Sequence, residues 1–175
     1  MDSDRRGVPV RVLVTAASKH GATAEIAEAV AKGLADRGVV AEVTALEGVR
    51  SLAGYDAVVL GSGVYVGHWL PAAKAFVARL HAELVARPVW VFSSGPLGDP
   101  PMPRDVVDVG DLLRWCGARE HRVFAGRLDR YMLGFAQRAI VHAVHAPEGD
   151  FRDWGAIDAW AGEIAEALVG GGSDE

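Results

Sequence analysis

Residues 18–23 combine hydroxyl groups, a lysine, a histidine and a glycine in one short turn. The turn follows an apolar run, 12–16, and precedes a stretch with apolar residues at helical spacing. This pattern predicts a buried strand, a turn and a helix. Such a turn directs backbone amides, hydroxyl groups and the positive end of a helix dipole at one point. We therefore expect an anion site, in particular one for a phosphate.

The spacing of these residues excludes two common nucleotide motifs. The chain has no G-x-x-x-x-G-K-[ST], and the single glycine of the turn does not meet the G-x-G-x-x-G pattern. What remains, S-x-x-G-x-T directly after the first strand, resembles the FMN-phosphate loop of the flavodoxin-like family. An ordinary turn that caps the helix is the alternative. The resemblance assigns the phosphate of FMN to Ser18, Lys19, His20, Gly21, Ala22 and Thr23.

Two further turns follow later strands. Gly61–Trp69 follows the apolar run 57–60, and residues 93–101 follow the run 89–92. The alternation of strands and helices predicts an α/β fold, with a parallel sheet and helices on both faces. The resemblance to the flavodoxin-like family implies that this sheet has five strands in the order 2-1-3-4-5. Ligands of such sheets lie at the carboxyl ends of the strands. We therefore expect the three turns to converge on one site.

If the phosphate of FMN binds in the first turn, the flat flavin ring of FMN would lie against the other two turns. Gly63 is able to adopt a positive φ, and Tyr65 or Trp69 would stack on the ring, with packing against the next helix as the alternative. The ring is assigned to Ser62, Gly63, Val64, Tyr65, Gly67, Trp69, Ser93, Ser94, Gly95 and Gly98. We interpret His20 and His68 as hydrogen-bonding or solvated residues. No catalytic side chain is assigned, because a flavin carries the redox chemistry itself.

Composition indicates one domain without a nucleic-acid surface. The chain has 175 residues, half of them hydrophobic, and a net charge of −5 spread along its length. Cys116, the single cysteine, is interpreted as a core thiol, and no metal site is predicted. We predict flexible ends at 1–8 and 170–175, and a domain at 9–169 with a helical insertion at about 130–147. The lack of a long apolar segment predicts a soluble cytoplasmic protein and allows peripheral contact with the inner face of a membrane.

Nearly the whole chain is similar to the menaquinone-dependent protoporphyrinogen IX dehydrogenases, a subgroup of the flavodoxin-like family. The resemblance rests on residues 18–23, on 61–69, on the segment FAGRLD at 124–129 and on GDFRDW at 149–154. It implies the FMN-dependent, six-electron oxidation of protoporphyrinogen IX to protoporphyrin IX in heme biosynthesis. A quinone, or a redox protein, would accept the electrons.

The substrate side of the site is predicted from cationic or titratable residues. His68 on the second turn, and Arg138 and His142 on the insertion, are candidates for binding the carboxylates of a porphyrinogen. The insertion would otherwise lie against a membrane or pack on its own domain. The second turn has no acidic residue, and residues 93–98 include no aromatic residue. Electron-carrying flavodoxins usually enclose the flavin ring with aromatics from two loops and with carboxylates, so these absences favour an enzyme over an electron carrier. Two alternatives stay open: a flavodoxin-type electron carrier and an FMN-free binding module. The oligomeric state is not predicted.

Overall fold

Five strands form a parallel sheet, and helices cover both of its faces. The computed structural model describes residues 7–95, 109–129, 134–135, 138–139, 142 and 148–170. In chain order the elements are β1 (Arg11–Ala17), α1 (Ala22–Ala35), β2 (Val40–Val43), a 3₁₀ turn (Leu46–Gly48), β3 (Ala57–Tyr65), β4 (His68–Trp69), α2 (Pro71–Arg79), α3 (His81–Val85), β5 (Val89–Ser94), α4 (Gly110–Cys116), β6 (Glu120–Phe124), β7 (Arg127–Leu128), β8 (Gly149–Asp150) and α5 (Trp154–Gly170).

The strand order confirms the predicted fold class. The sheet runs β2-β1-β3-β5-β6, and the short β4 pairs antiparallel with the end of β3. Counted among the parallel strands alone, this is the order 2-1-3-4-5. A separate two-stranded ribbon joins β7 to β8. The order reverses between β1 and β3, so the site is expected beside the carboxyl ends of these two strands.

Alternation along the strands separates two hydrophobic cores. Val12 and Val14 of β1 face one core, which α1 and α5 cover. Leu13 of β1 faces the other, which α2, α3 and α4 cover. Successive side chains of a strand point to opposite faces, and a sheet that is covered on both faces needs apolar residues at nearly every position. Cys116 lies buried in the second core, as predicted, and burial raises the pKa of its thiol.

The helical segment after Pro71 is divided into α2 and α3 at Leu80, a buried residue of the second core with φ −108° and ψ 18°. The second predicted turn differs from the sequence-based expectation. Strand β3 continues to Tyr65, through half of the predicted second turn. It does so because Gly61 pairs with Phe92 and leaves room for the phenyl ring where a side chain would stand.

None of the helices among the residues listed above is both long enough and apolar enough to cross a membrane.

The contact between Gly61 and Phe92 predicts a destabilising substitution. In Gly61→Ala, the new Cβ would lie 2.1 Å from Cζ of Phe92, so the buried ring has to move. We expect the free energy of unfolding to fall by about 1–3 kcal/mol, the usual cost of overpacking a core. Urea denaturation measures the change. Gly48→Ala is the matched control, because the nearest atom to its Cβ would be 3.5 Å away. Equal urea midpoints for the two variants would contradict this account of the packing.

Candidate cofactor site

The last residues of β1, β5 and β6 lie at nearly the same level of the sheet, and β3 continues past them. Ala17 is paired with Ser62, Ser62 with Ser93, and Ser93 with Val123, while β3 ends three residues beyond Ser62, at Tyr65. The segments that follow β1, β5 and β6 therefore start beside the last residues of β3, at one edge of the sheet. This register brings together the three predicted turns, which are distant in sequence.

The first turn forms a cradle of backbone amides at the start of α1. Gly21 is the N-cap and has φ +87°, a conformation that favours glycine. The Ser18 hydroxyl oxygen accepts a hydrogen bond from the Gly21 amide at 3.0 Å, and the Glu25 amide donates to the Gly21 carbonyl. The amides of residues 22–24 have no carbonyl one turn earlier within the helix. They and the dipole of a 14-residue helix suit an anion.

Thr23 and Gly63 join the first turn to the second strand end. Thr23 is buried, and its Oγ1 would lie 3.3 Å from a Cβ at position 63. The same Cβ would lie 3.9 Å from the carbonyl oxygen of Ala17. A side chain at residue 63 would crowd the Thr23 hydroxyl, so the glycine lets the main chain of β3 approach the first turn closely. The Thr23 hydroxyl, the amides of the cradle and the main chain of β3 thus lie together.

The second predicted turn is a β-hairpin with an exposed tyrosine. Tyr65 and His68 face each other across β3 and β4, and only Val66 and Gly67 lie between them. These two have φ values of +50° and +77°, as a two-residue hairpin turn requires. A β-branched residue such as Val66 is strained in this region. The positive φ that was expected for Gly63 therefore occurs at the hairpin tip instead, while Gly63 is part of β3.

Trp69 lies in the core, which favours the packing alternative for this residue over ring stacking. It is 2% exposed, and its indole N–H donates to the Ser93 hydroxyl at 2.8 Å. The Ser93 oxygen is also 2.7 Å from Nε2 of His121. The Ser62 hydroxyl donates to the Gly63 carbonyl and accepts from the Leu70 amide. Trp69, Ser62 and Ser93 thus support the site from below, and Tyr65, 39% exposed, is the aromatic residue left for stacking.

The third turn starts with a closely packed pair of glycines. Gly95 has φ +84°, and its amide donates to the Phe124 carbonyl at 3.0 Å. A Cβ at Gly126 would lie 3.2 Å from the Gly95 nitrogen, and one at Gly95 would lie 3.8 Å from the Val64 carbonyl oxygen. Ser94 is buried beside them. Gly98 and residues 96–97 lie outside the described residues, so their assignment stays a prediction.

The remaining predicted residues differ in how the structure places them. Lys19 is exposed, and its Nζ lies 5.0 Å from the centre of the Tyr65 ring. His20 is half-buried, and His68 is exposed opposite Tyr65. Arg138 and His142 are helical and exposed, within a segment that is only partly described. Their role toward a substrate stays a prediction.

Arg152, which was not predicted as a site residue, fixes the cradle. The side chain of Arg152 is 3% exposed and bonds to Asp150 at 2.6 and 2.8 Å, to the Ala22 carbonyl at 3.3 Å and to Glu25. Arg127 lies 3.4 Å from the same Glu25 carboxylate. Arg152 therefore ties the β7–β8 ribbon to the first turn of α1. Glu25, the acidic residue in the first turn of α1, was a weak signal in the sequence. More than a hundred residues separate it from Arg152, so the pairing could not be predicted.

The two carboxylates of this cluster are held in their charged form. The hydrogen bond from Arg152 is the main reason that the pKa of Glu25 lies below its ordinary value. The same guanidinium lowers the pKa of Asp150, although partial burial opposes the shift. A carboxylate that is charged and paired beside the cradle stabilises the first turn of α1 near neutral pH.

Comparison with known proteins identifies the family. The sequence profile of the flavodoxin domain matches residues 13–154, which is most of the chain. The chain belongs to the flavodoxin domain family. The matched range begins within β1 and ends at the first residue of α5, so it includes the cradle, the hairpin and Arg152. No curated protein matches the sequence.

Solved structures share the flavodoxin fold with this chain. The rubredoxin oxygen:oxidoreductase of Desulfovibrio gigas aligns at 16% identity with a TM-score of 0.65, covering 95% of this chain and 38% of that one. An oxidoreductase from Corynebacterium diphtheriae aligns at 19% identity and TM-score 0.60, over 92% of this chain and 97% of that one. A flavodoxin from the domain Archaea aligns at 21% identity with a TM-score of 0.54, over 78% of this chain and 98% of that one. The chain thus spans about two fifths of the Desulfovibrio protein.

The Arg152 cluster predicts how stability depends on pH. Both carboxylates have lowered pKa values in the folded state, so their contribution is present above about pH 5 and is lost as the pH falls. At pH 7 we expect Arg152→Met to lower the free energy of unfolding by about 1–3 kcal/mol. Solvent limits the effect, because Glu25 and Asp150 are 44% and 43% exposed.

Urea denaturation at pH 7 and near pH 3 measures this difference. The gap between Arg152→Met and the parent should narrow at the lower pH, where the carboxylates of both proteins become protonated. Arg114→Met is the matched control, because it breaks an exposed pair with Asp111 and should change stability by less than about 1 kcal/mol. A gap that stays constant between the two pH values would contradict the electrostatic role of Arg152.

Proposed function

We propose that this flavodoxin-domain chain is an FMN-dependent oxidoreductase. The observation that carries the proposal is the cradle: Gly21 at positive φ, the first-turn amides of α1, and the Thr23 hydroxyl close to the main chain at Gly63. The family match and this donor set both support an FMN-type redox protein. Neutral donors and a helix dipole suit the phosphate monoester of FMN without a dedicated arginine.

The residues next to the cradle would hold the ring of FMN. Tyr65 supplies an exposed aromatic face at the hairpin, and the main chain of Gly63, Val64 and Gly67 runs beside it. The main chain at Ser94 and Gly95 forms the neighbouring edge. Bound FMN would supply two-electron redox chemistry, and the protein would bind it, orient it and exclude water from one of its faces.

The substrate that we propose is protoporphyrinogen IX. Its oxidation to protoporphyrin IX removes six electrons and six hydrogens in three two-electron steps, and three quinones would accept them as quinols. Segments 18–23 and 61–69 contain Lys19, His20 and His68 but no acid, which suits a substrate with carboxylate groups. The proposal also rests on segments 124–129 and 149–154, which resemble the corresponding segments of the dehydrogenase subgroup.

A quinone acceptor would require contact with a membrane surface. Phe135 is 92% exposed, and Arg138, three residues later on the same helical segment, is exposed as well. An apolar ring beside a cation is typical of helices that lie in the interface of an anionic membrane. We therefore propose that the insertion provides peripheral contact with the bilayer that holds the quinone.

A flavodoxin-type electron carrier is the second candidate. It is supported by the flavodoxin from Archaea, a protein of similar size that this chain covers almost completely. A carrier would exchange electrons with a redox protein and would not turn over a porphyrinogen.

Anaerobic mixing of the FMN-loaded chain with protoporphyrinogen IX separates the two candidates. The dehydrogenase predicts loss of the visible flavin band together with the appearance of porphyrin, and recovery of the band when a menaquinone analogue is added. A flavin that loads but stays oxidised would reject the dehydrogenase and favour the carrier. A chain that binds no FMN would reject both and leave an FMN-free binding module.

Thr23→Ala tests the phosphate site directly. Removing the hydroxyl should weaken FMN binding by about 1–3 kcal/mol, or roughly ten- to a hundredfold in Kd, if the bond to the phosphate is charge-assisted. Thr23→Ser keeps the hydroxyl and should bind FMN nearly as the parent does. Fluorescence quenching of FMN measures Kd, and urea denaturation without FMN checks that both variants are folded. Unchanged affinity in Thr23→Ala would show that the phosphate lies elsewhere.

A further inference from the structure

Lys19 brings a positive charge to the aromatic residue of the proposed ring site. Its Nζ lies 5.0 Å from the centre of the Tyr65 ring, within the range of a cation–π contact. Lys19 belongs to the first turn and Tyr65 to the end of β3, so the contact joins the phosphate cradle to the hairpin. Pairing of β1 with β3, level at Ala17 and Ser62, brings the two residues together.

The two segments that hold Lys19 and Tyr65 contain no acidic residue. Segments 18–23 and 61–69 contain no aspartate or glutamate, although the whole chain has a net charge of −5. His68 lies directly across the hairpin from Tyr65, and directly paired residues share one face of a ladder. A second titratable nitrogen base therefore stands on the same side of the hairpin as the ring of Tyr65.

From this juxtaposition we infer that Lys19 sets the reduction potential of the flavin. Two-electron reduction of FMN at neutral pH takes up two electrons and one proton and leaves the ring with one negative charge. A fixed cation beside the ring stabilises that charge and so favours reduced over oxidised FMN. The inference rests on the proposed function. Its consequence is a flavin that accepts electrons from a substrate more readily than it would beside acidic groups.

Two other roles of Lys19 give different results. If its ammonium group binds the phosphate, removing the charge weakens oxidised and reduced FMN equally, and the potential does not change. If it occupies the position of the ring on Tyr65, FMN has to displace it, and its removal tightens the binding of oxidised FMN. The affinities for oxidised and reduced FMN change by different factors only if Lys19 affects the reduction potential.

The experiment compares Lys19→Met, Lys19→Arg and the parent. Kd for oxidised FMN comes from fluorescence quenching, and the midpoint potential from anaerobic titration against reference dyes. In Lys19→Met we expect reduced FMN to lose about tenfold more affinity than oxidised FMN loses. For a two-electron couple, this shifts the potential by about 30 mV to more negative values. Lys19→Arg keeps the charge and should restore most of the parent potential.

Lys32→Met is the matched control for the loss of one charge. Lys32 lies in the last turn of α1, at the opposite end of the helix from the cradle, and pairs with Asp36 on the surface. Its removal should leave the potential unchanged. Equal potentials for Lys19→Met and the parent would overturn the inference about Lys19. If the parent still binds FMN, that result would leave the proposed FMN site standing. Failure of the parent to bind FMN would overturn both.

Discussion

The candidate site depends on the parallel pairing of β1, β3 and β5. The register sets Ala17, Ser62 and Ser93 side by side, so three segments that are widely separated in sequence begin at one edge. Glycines make this close approach feasible: Gly61 leaves room for the ring of Phe92, and Gly63 lets β3 pack against Thr23 without a side chain between them. A one-residue change of register would turn every side chain of a strand to the other face and would separate these groups.

Below that edge, buried polar groups hold the turns in place. The Ser62 hydroxyl joins the end of β3 to the Leu70 amide at the start of α2, and Ser93 joins Trp69 to His121. A buried hydroxyl without such partners would be costly, so these bonds specify the geometry as well as stabilise it. The residues with exposed polar or aromatic groups, such as Lys19 and Tyr65, then stand on a rigid base.

Arg152 extends this support to the end of the chain. Burying a guanidinium is unfavourable unless its donors are satisfied, and here Asp150, Glu25 and the Ala22 carbonyl accept them. The cluster makes the position of the β7–β8 ribbon depend on the start of α1. A segment that lies outside the sheet is thereby linked to the phosphate cradle.

The fold class could be predicted from the sequence, because alternating apolar strands and helices admit few right-handed arrangements. The strand order followed from the resemblance to flavodoxin-like proteins. The first turn was predictable as well, since Gly21 and the hydroxyls of Ser18 and Thr23 lie within six residues of one another. Packing in three dimensions was needed to establish which aromatic is exposed. Trp69 and Tyr65 lie four residues apart in one glycine-containing segment, and their environments differ only because the hairpin turns one inward. It also decided the place of Arg152 and the contact of Lys19 with Tyr65, since such pairings depend on packing between segments that carry no mutual signal in sequence.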